Sequence, residues 1–167
     1  EKGEGNPGFG KASRTTIFDY WGVPAHQRWM NDGDFDGGQS TAEEKQLRAY
    51  YTALMQFTRS APALMGQYRE LHTVNSKSAG YDGSVFAFAR WSTDQKLLVV
   101  SNFSAAAGKS FDFNLSPMLS DWRLPDGPNA FRDVLTGNRH AVIVAGGKAS
   151  VPLSLAPLQS VILERIP

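Results

Sequence analysis

The sequence contains no cysteine, which excludes disulfide bonds, thiol catalysis and cysteine metal sites but leaves the cellular compartment open. It has no run of 18 apolar residues, so no transmembrane helix is predicted. It also lacks an excess of either charge, because 17 Lys and Arg face 16 Asp and Glu for a net charge of +1. Nucleic-acid-binding proteins usually carry a basic excess. We therefore expect neither a nucleic acid nor a membrane as a partner.

The chain also lacks an initiating methionine and a signal peptide, since it opens Glu1-Lys2-Gly3-Glu4-Gly5. This start indicates a piece of a longer protein. With 167 residues, 41% of them hydrophobic, the chain is long enough to bury a core without help from a metal or a disulfide. We expect no required cofactor.

Glycine is concentrated at the front, with 8 of the 16 glycines in residues 1–40. The same stretch carries six aromatic residues, which a loose linker would not usually have. They are Phe9, Phe18, Tyr20, Trp21, Trp29 and Phe35. The combination predicts a long ordered loop that needs a partner surface, and such loops are often functional.

One amphipathic helix is predicted from about residue 41 to residue 59. Its apolar stripe consists of residues at helical spacing: Leu47, Tyr50, Tyr51, Leu54 and Phe57. Ser40 followed by Glu43 fits a capping box at the helix start. Pro62 limits the helix at its other end.

From about residue 80 the pattern changes to short strands separated by Gly, Asn, Asp and Pro turns. Residues 85–91 and 97–103 flank a five-residue loop and predict a hairpin. Further strands are predicted at 111–115, 131–135, 141–144, 149–153 and 160–166. The predicted fold class is mainly β, an antiparallel β-sandwich preceded by the glycine-rich aromatic loop and the helix.

An acidic loop precedes the helix. Asp32, Asp34 and Asp36, with Gly37 at the sixth position and Glu43 at the twelfth, fit a calcium-loop pattern. Calcium is therefore a candidate ligand. The alternative is an acidic turn whose carboxylates suit the positive end of a helix dipole, with Glu43 explained by the capping box alone.

Residues 18–21, Phe-Asp-Tyr-Trp, are a candidate sugar contact, because a flat ring stacks on a pyranose and a carboxylate accepts its hydroxyls. The alternative is that these rings anchor the loop to a scaffold. The three histidines, His26, His72 and His140, show no nucleophilic triad pattern, and the chain has no phosphate-binding loop.

Several strings resemble glycoside hydrolase family 13, the α-amylase family. Residues 47–54 and the Ala61-Pro62-Ala63-Leu64 run are similar to the last barrel helix of that family and the segment after it. Residues 85–90 and 97–104 resemble the first hairpin of its C-terminal β-sandwich, and residues 132–137 resemble a strand and turn of that domain. Residues 151–155 and 158–164 resemble its closing strands, and residues 14–21 resemble the long loop after the eighth barrel strand.

The resemblance implies that residues 1–79 are the end of a (β/α)8 barrel and residues 80–167 a C-terminal β-sandwich domain. The catalytic carboxylates of such a retaining enzyme would lie upstream, so the chain alone would be inactive. The parent would act on α-glucans such as starch and malto-oligosaccharides, and the upstream barrel would be the partner of this chain. Arg14, Asp19, Tyr20 and Trp21 would border the sugar cleft, without catalytic roles.

Two alternatives remain. The chain could be a carbohydrate-binding module that binds starch through exposed rings such as Trp91 or Trp122 without catalysis. It could also be a small calcium-binding helix–loop–helix fused to a β-domain. Many members of the α-amylase family are exported to the periplasm or the exterior, but the sequence leaves the compartment of this chain open.

Overall fold

The computed structural model describes residues 23–166. The chain divides into two compact units, residues 1–52 and residues 53–167. In the described part, the first unit holds helix α1 (Pro24–Met30), a 3-10 turn (Asn31–Gly33) and the start of helix α2 (Ala42–Ser60). No helix in residues 23–166 combines the length and hydropathy of a membrane span.

Helix α2 begins one residue later than predicted and ends one residue later. Its capping box is formed by Thr41 and Glu44, not by Ser40 and Glu43. The backbone N–H of Glu44 donates to Thr41 Oγ1 at 3.2 Å, and the backbone N–H of Thr41 donates to Glu44 Oε2 at 2.9 Å. The sequence offers a hydroxyl and a glutamate at the same spacing in both registers, and the prediction selected the wrong pair.

The second unit is built around eight strands: β1 (Gln67–Glu70), β2 (Val85–Trp91), β3 (Lys96–Asn102), β4 (Lys109–Asn114), β5 (Gly127–Asp133), β6 (Arg139–Ala145), β7 (Lys148–Leu155) and β8 (Ser160–Arg165). Two one-turn helices, α3 (His72–Asn75) and α4 (Leu119–Trp122), interrupt them, as do 3-10 turns at Pro62–Met65 and Ser116–Met118.

All eight strands are hydrogen-bonded in one antiparallel sheet with the order β1-β2-β3-β8-β5-β6-β7-β4. The predicted mainly β, antiparallel fold class is confirmed. The sheet curls, so that residues from β2 to β8 share one core. Strand β1, which the sequence pattern did not indicate, adds an edge beside β2 because Gln67 pairs with Trp91 and Glu70 with Phe88.

Alternation along the strands sorts side chains between the core and the outer surface. In β7 every second residue is buried: Ala149, Val151, Leu153 and Leu155. Strand β2 follows the same rule with Val85, Ala87 and Ala89. The alternation of apolar and polar residues in the sequence is thus the period-two pattern of strands that turn one face towards a core.

A second, smaller apolar cluster lies apart from the main core and includes the C-terminal part of helix α2. Leu97 of β3 and Ile162 of β8 are buried in it. Leu54 and Phe57 of α2 pack against this cluster and remain half-buried. The last turns of the helix are thereby fixed to the sheet.

Candidate functional site

The four residues predicted to face a sugar, Arg14, Asp19, Tyr20 and Trp21, lie outside the described residues. Their assignment stays a prediction.

The acidic loop before helix α2 is a hydrogen-bonded turn. Asp36 Oδ1 accepts the backbone N–H of Gly38 at 2.7 Å and the Asn31 side-chain amide at 2.8 Å. These two donors, the Gly38 N–H above all, lower the pKa of Asp36. Asp32 Oδ2 accepts the Gln39 side-chain amide at 2.7 Å. The carboxylates of Asp32 and Asp36 therefore each hold the loop closed through amide donors.

Of the other two predicted calcium ligands, Asp34 is exposed in the turn and Glu43 is exposed in the first turn of α2. Within residues 23–166, no three His, Asp or Glu side chains are grouped as a metal site. The donors present are carboxylates, the ligand type that calcium prefers. Calcium at this loop stays a prediction.

Beside the loop, Arg28 of α1 pairs with Glu44 of α2. The Arg28 Nε–H donates to Glu44 Oε2 at 3.1 Å, and a second guanidinium N–H bonds Oε1. Because of this guanidinium first, and of the Thr41 N–H second, the pKa of Glu44 falls to about 2. Glu43, which is predicted as a calcium ligand, is the neighbour of the glutamate that caps α2 and pairs with Arg28.

A cavity of about 330 Å³ opens in the same unit, between Trp29, Gly37, Glu44 and Arg48. The Arg48 guanidinium lies 5.0 Å from the centre of the Trp29 ring, a cation–π contact. The Trp29 indole N–H is buried and has no acceptor in the described part of the chain.

The two tryptophans proposed as exposed sugar platforms differ. Trp122 is 1% exposed and stacks on Phe131 with ring centres 6.0 Å apart, so the expectation that it is exposed was wrong. It lies at the end of α4 and belongs to the main core that the strands enclose. Trp91 is half-buried at the end of β2, and the Arg69 guanidinium lies 5.9 Å from its ring centre.

Trp91 lines a second cavity, which measures about 560 Å³. Four segments of the second unit form it: the start of β1, the turn between β2 and β3, the end of α4 and the end of β8. A Cβ atom at Gly66 would overlap the Trp91 carbonyl oxygen, so only glycine fits where the chain enters β1.

An aromatic surface lies on the outer side of β1 and β2. Tyr68 and Phe88 have ring centres 5.8 Å apart, Phe88 and Phe86 6.1 Å, and Phe86 and His72 5.8 Å. Tyr68 is 52% exposed and Phe86 39% exposed. A contiguous apolar surface of this kind is typical of an interface with another domain or another protein.

Residues 132–137, at the end of β5 and in the turn after it, contain a buried structural carboxylate, that of Asp133. Asp133 is 2% exposed and accepts three hydrogen bonds, from Thr136 Oγ1 at 2.6 Å and from the backbone N–H groups of Leu135 and Ile162 at 3.2 Å. It joins the turn after β5 to strand β8. The role of this aspartate is therefore to hold the sheet together.

Solved structures of AmyP have a similar fold. The AmyP structure in complex with maltose is 20% identical, with a TM-score of 0.53, and the match covers 78% of this chain and 22% of AmyP. A variant of AmyP in complex with maltotriose gives the same identity and TM-score over 76% of this chain and 22% of that one. An Anoxybacillus alpha-amylase is 15% identical over 81% of this chain and 26% of its own, with a TM-score of 0.49.

This chain thus spans about a fifth of the length of AmyP. No curated protein sequence matches it. A family model described as "Alpha amylase, C-terminal all-beta domain" matches residues 76–166, more than half of the chain. The chain therefore belongs to the alpha-amylase C-terminal all-beta domain family.

Proposed function

We propose that this chain is the C-terminal part of an α-amylase-family glycosidase that acts on α-glucans, and that its β-domain stabilises a catalytic barrel encoded upstream. The observation that carries the proposal is the family match over residues 76–166. In this proposal residues 1–79 complete the barrel and residues 80–167 form the domain attached to it. The maltose and maltotriose bound by AmyP support an α-glucan as the substrate of the parent enzyme.

Exposed apolar residues supply a surface for the barrel. Helix α2 has no buried residue, although it carries the predicted apolar stripe. Leu47 is 59% exposed, Tyr50 42% and Tyr51 53%. A helix with an apolar face this open is stabilised mainly by packing against a partner. The barrel, of which this helix would be the last, is the partner that the family match suggests.

The test compares two variants of the intact parent enzyme, one with two substitutions and one with a single substitution. Leu47→Ser with Tyr51→Ser removes apolar area from the stripe, while Ile143→Ser removes it from strand β6, where Ile143 is 45% exposed. In the 167-residue chain alone, we expect each to change the free energy of unfolding by less than about 0.5 kcal/mol, as surface substitutions usually do.

In the intact enzyme, the substitutions in the stripe should lower Tm and should shorten the time for which the enzyme keeps its maltoheptaose-hydrolysing activity at elevated temperature. Ile143→Ser should do neither. Equal behaviour of the two variants in the intact enzyme would count against a docked stripe. Hydrolysis of starch by the 167-residue chain alone would contradict the assignment of the catalytic carboxylates to the upstream barrel.

The carbohydrate-binding module is the second candidate, and the Trp91 cavity is the observation in its favour. Trp122 is buried and offers no ring face, and the Arg69 guanidinium covers part of the Trp91 ring. Titration of the chain with maltoheptaose separates the candidates, since millimolar or tighter binding supports the module.

A further inference from the structure

The cavity of about 560 Å³ in the second unit is lined by more positive than negative side chains. Three cationic side chains line it, Lys96, Arg123 and Arg165, against one carboxylate, Asp121. That carboxylate is already paired, because a guanidinium nitrogen of Arg69 lies 3.0 Å from Asp121 Oδ2. A cleft lined by one sign of charge concentrates the field and attracts ions of the opposite sign.

The three cations have little to neutralise them in the described part of the chain. None of them forms an ion pair among residues 23–166. The Arg165 guanidinium donates one N–H to the Trp122 carbonyl oxygen at 2.8 Å, and the Lys96 ammonium donates to the carbonyl oxygen of Thr93. The Arg123 side chain is exposed and forms no hydrogen bond or ion pair with residues 23–166, so its guanidinium donors are open to solvent beside the cavity.

The position of Arg123 is fixed by the backbone. It follows α4 as a left-handed C-cap residue with φ of 49°, and its backbone N–H bonds the carbonyl oxygens of Leu119 and Ser120. Glycine or asparagine would adopt this conformation more readily than arginine. Arg123 therefore lines the cavity from a backbone conformation that costs arginine more than it would cost glycine or asparagine.

The rest of the lining suits a ligand with hydroxyl groups. Gln67, Ser92 and Thr93 supply amide and hydroxyl groups, and Trp91 supplies an apolar wall. The volume lies within the range of small-molecule sites, roughly 300–1,000 Å³, and exceeds what an inorganic ion alone would need.

We propose that this cavity binds an anionic saccharide, a pyranose that carries a phosphate or a carboxylate group. Lys96, Arg123 and Arg165 would hold the anionic group, and the side chains of Gln67, Ser92 and Thr93 would bond the sugar hydroxyls. The choice of a saccharide rests on the proposed function, whereas the choice of an anion rests on the charges of the lining.

The test is calorimetric titration of the 167-residue chain with five probes: glucose 6-phosphate, glucuronate, glucose, inorganic phosphate and maltotriose. We expect one or both anionic sugars to bind at least about tenfold more tightly than glucose and than inorganic phosphate. The affinity should fall between about 0.01 M and 0.15 M ionic strength, because the screening length shortens from about 30 Å to 8 Å.

Two variants localise the binding. Arg123→Asn keeps a residue that tolerates the left-handed conformation, and Lys96→Gln keeps a long polar side chain, so both should fold. Each should weaken glucose 6-phosphate binding by about fivefold to tenfold. The matched control is Lys148→Gln, which removes the same charge from the exposed start of β7 and should leave the affinity unchanged.

Four outcomes would overturn the proposal: no binding of either anionic sugar, equal affinity for inorganic phosphate, equal or tighter binding of maltotriose, or equal loss in the Lys148→Gln control. Tight maltotriose binding would instead support the carbohydrate-binding module. Because this titration is read on the chain itself, its failure leaves the barrel-docking test in the intact enzyme unaffected.

Discussion

The inner face of the β-sheet and the apolar stripe of helix α2 are both rich in large apolar residues, yet only the sheet buries them. Phe113, Phe131 and Leu163 in the core are completely buried, whereas Leu47 and Tyr51 in the stripe are more than half exposed. Burial of apolar area is the main favourable contribution to folding. The sheet is therefore stabilised by burial of its own apolar residues. The helix still exposes apolar area that could be buried against another surface.

The two regions also differ in how they are anchored. Strand positions are fixed by ladder hydrogen bonds and by buried polar side chains such as Asn75, whose amide bonds the carbonyl oxygens of Leu71 and Asn114. The start of α2 is held by the exposed capping box and by the half-buried Arg28–Glu44 pair. Ion pairs that solvent still reaches contribute little to stability. Four predictions test this contrast.

The largest effect is expected in the core. Phe131→Ala should lower the free energy of unfolding by about 3–5 kcal/mol, because it leaves a cavity beside Trp122. Urea unfolding of the chain measures the loss, with Phe103→Ala as control since Phe103 is 68% exposed. A loss below about 1 kcal/mol would mean that the sheet does not depend on this core.

The buried carboxylate comes next. Asp133→Ala should cost about 2–3 kcal/mol, since it leaves the N–H groups of Leu135 and Ile162 without their acceptor. The same urea unfolding measures it, and the exposed Asp112→Ala on β4 is the matched control. Equal stability of the two variants would show that Asp133 does not join β5 to β8.

The helix start should respond more weakly. Thr41→Ala should cost about 1 kcal/mol and Ser40→Ala almost nothing, because the side chain that caps the helix is that of Thr41. Amide hydrogen exchange in the first turn of α2 should accelerate in the first variant only. A larger loss of stability in Ser40→Ala than in Thr41→Ala would support the predicted capping box of Ser40 and Glu43.

The smallest effect is a pH dependence at the Arg28–Glu44 pair. The pKa of Glu44 lies at about 2, below the ordinary value of 4.5, so the pair stabilises the folded chain above pH 4.5 and this contribution is lost as the pH falls towards 2. NMR titration of the Glu44 carboxyl carbon should show the low midpoint, and Arg28→Gln should raise it. A midpoint near 4.5 in the unaltered chain would contradict the pairing.

Much of the fold could be read from local pattern. The sequence pattern predicts the helix within one residue of Ala42–Ser60 and predicts the hairpin of β2 and β3, because hydrophobic periodicity and turn residues are local properties. Strand β1 was missed because four residues without clear alternation form a strand only when β2 lies beside them. The predicted sugar and calcium residues stay predictions.

The cavity could not have been found in this way, since its lining comes from residues 66–67, 91–96, 121–123 and 165, which the sequence keeps far apart. By itself the sequence determined the antiparallel β-domain, the amphipathic helix and the absence of cysteine chemistry. The tertiary structure alone decided that Trp122 is buried, that Asp133 joins two strands and that three cations meet at one cavity. The reason is that burial and charge proximity depend on which distant segments the curled sheet brings together.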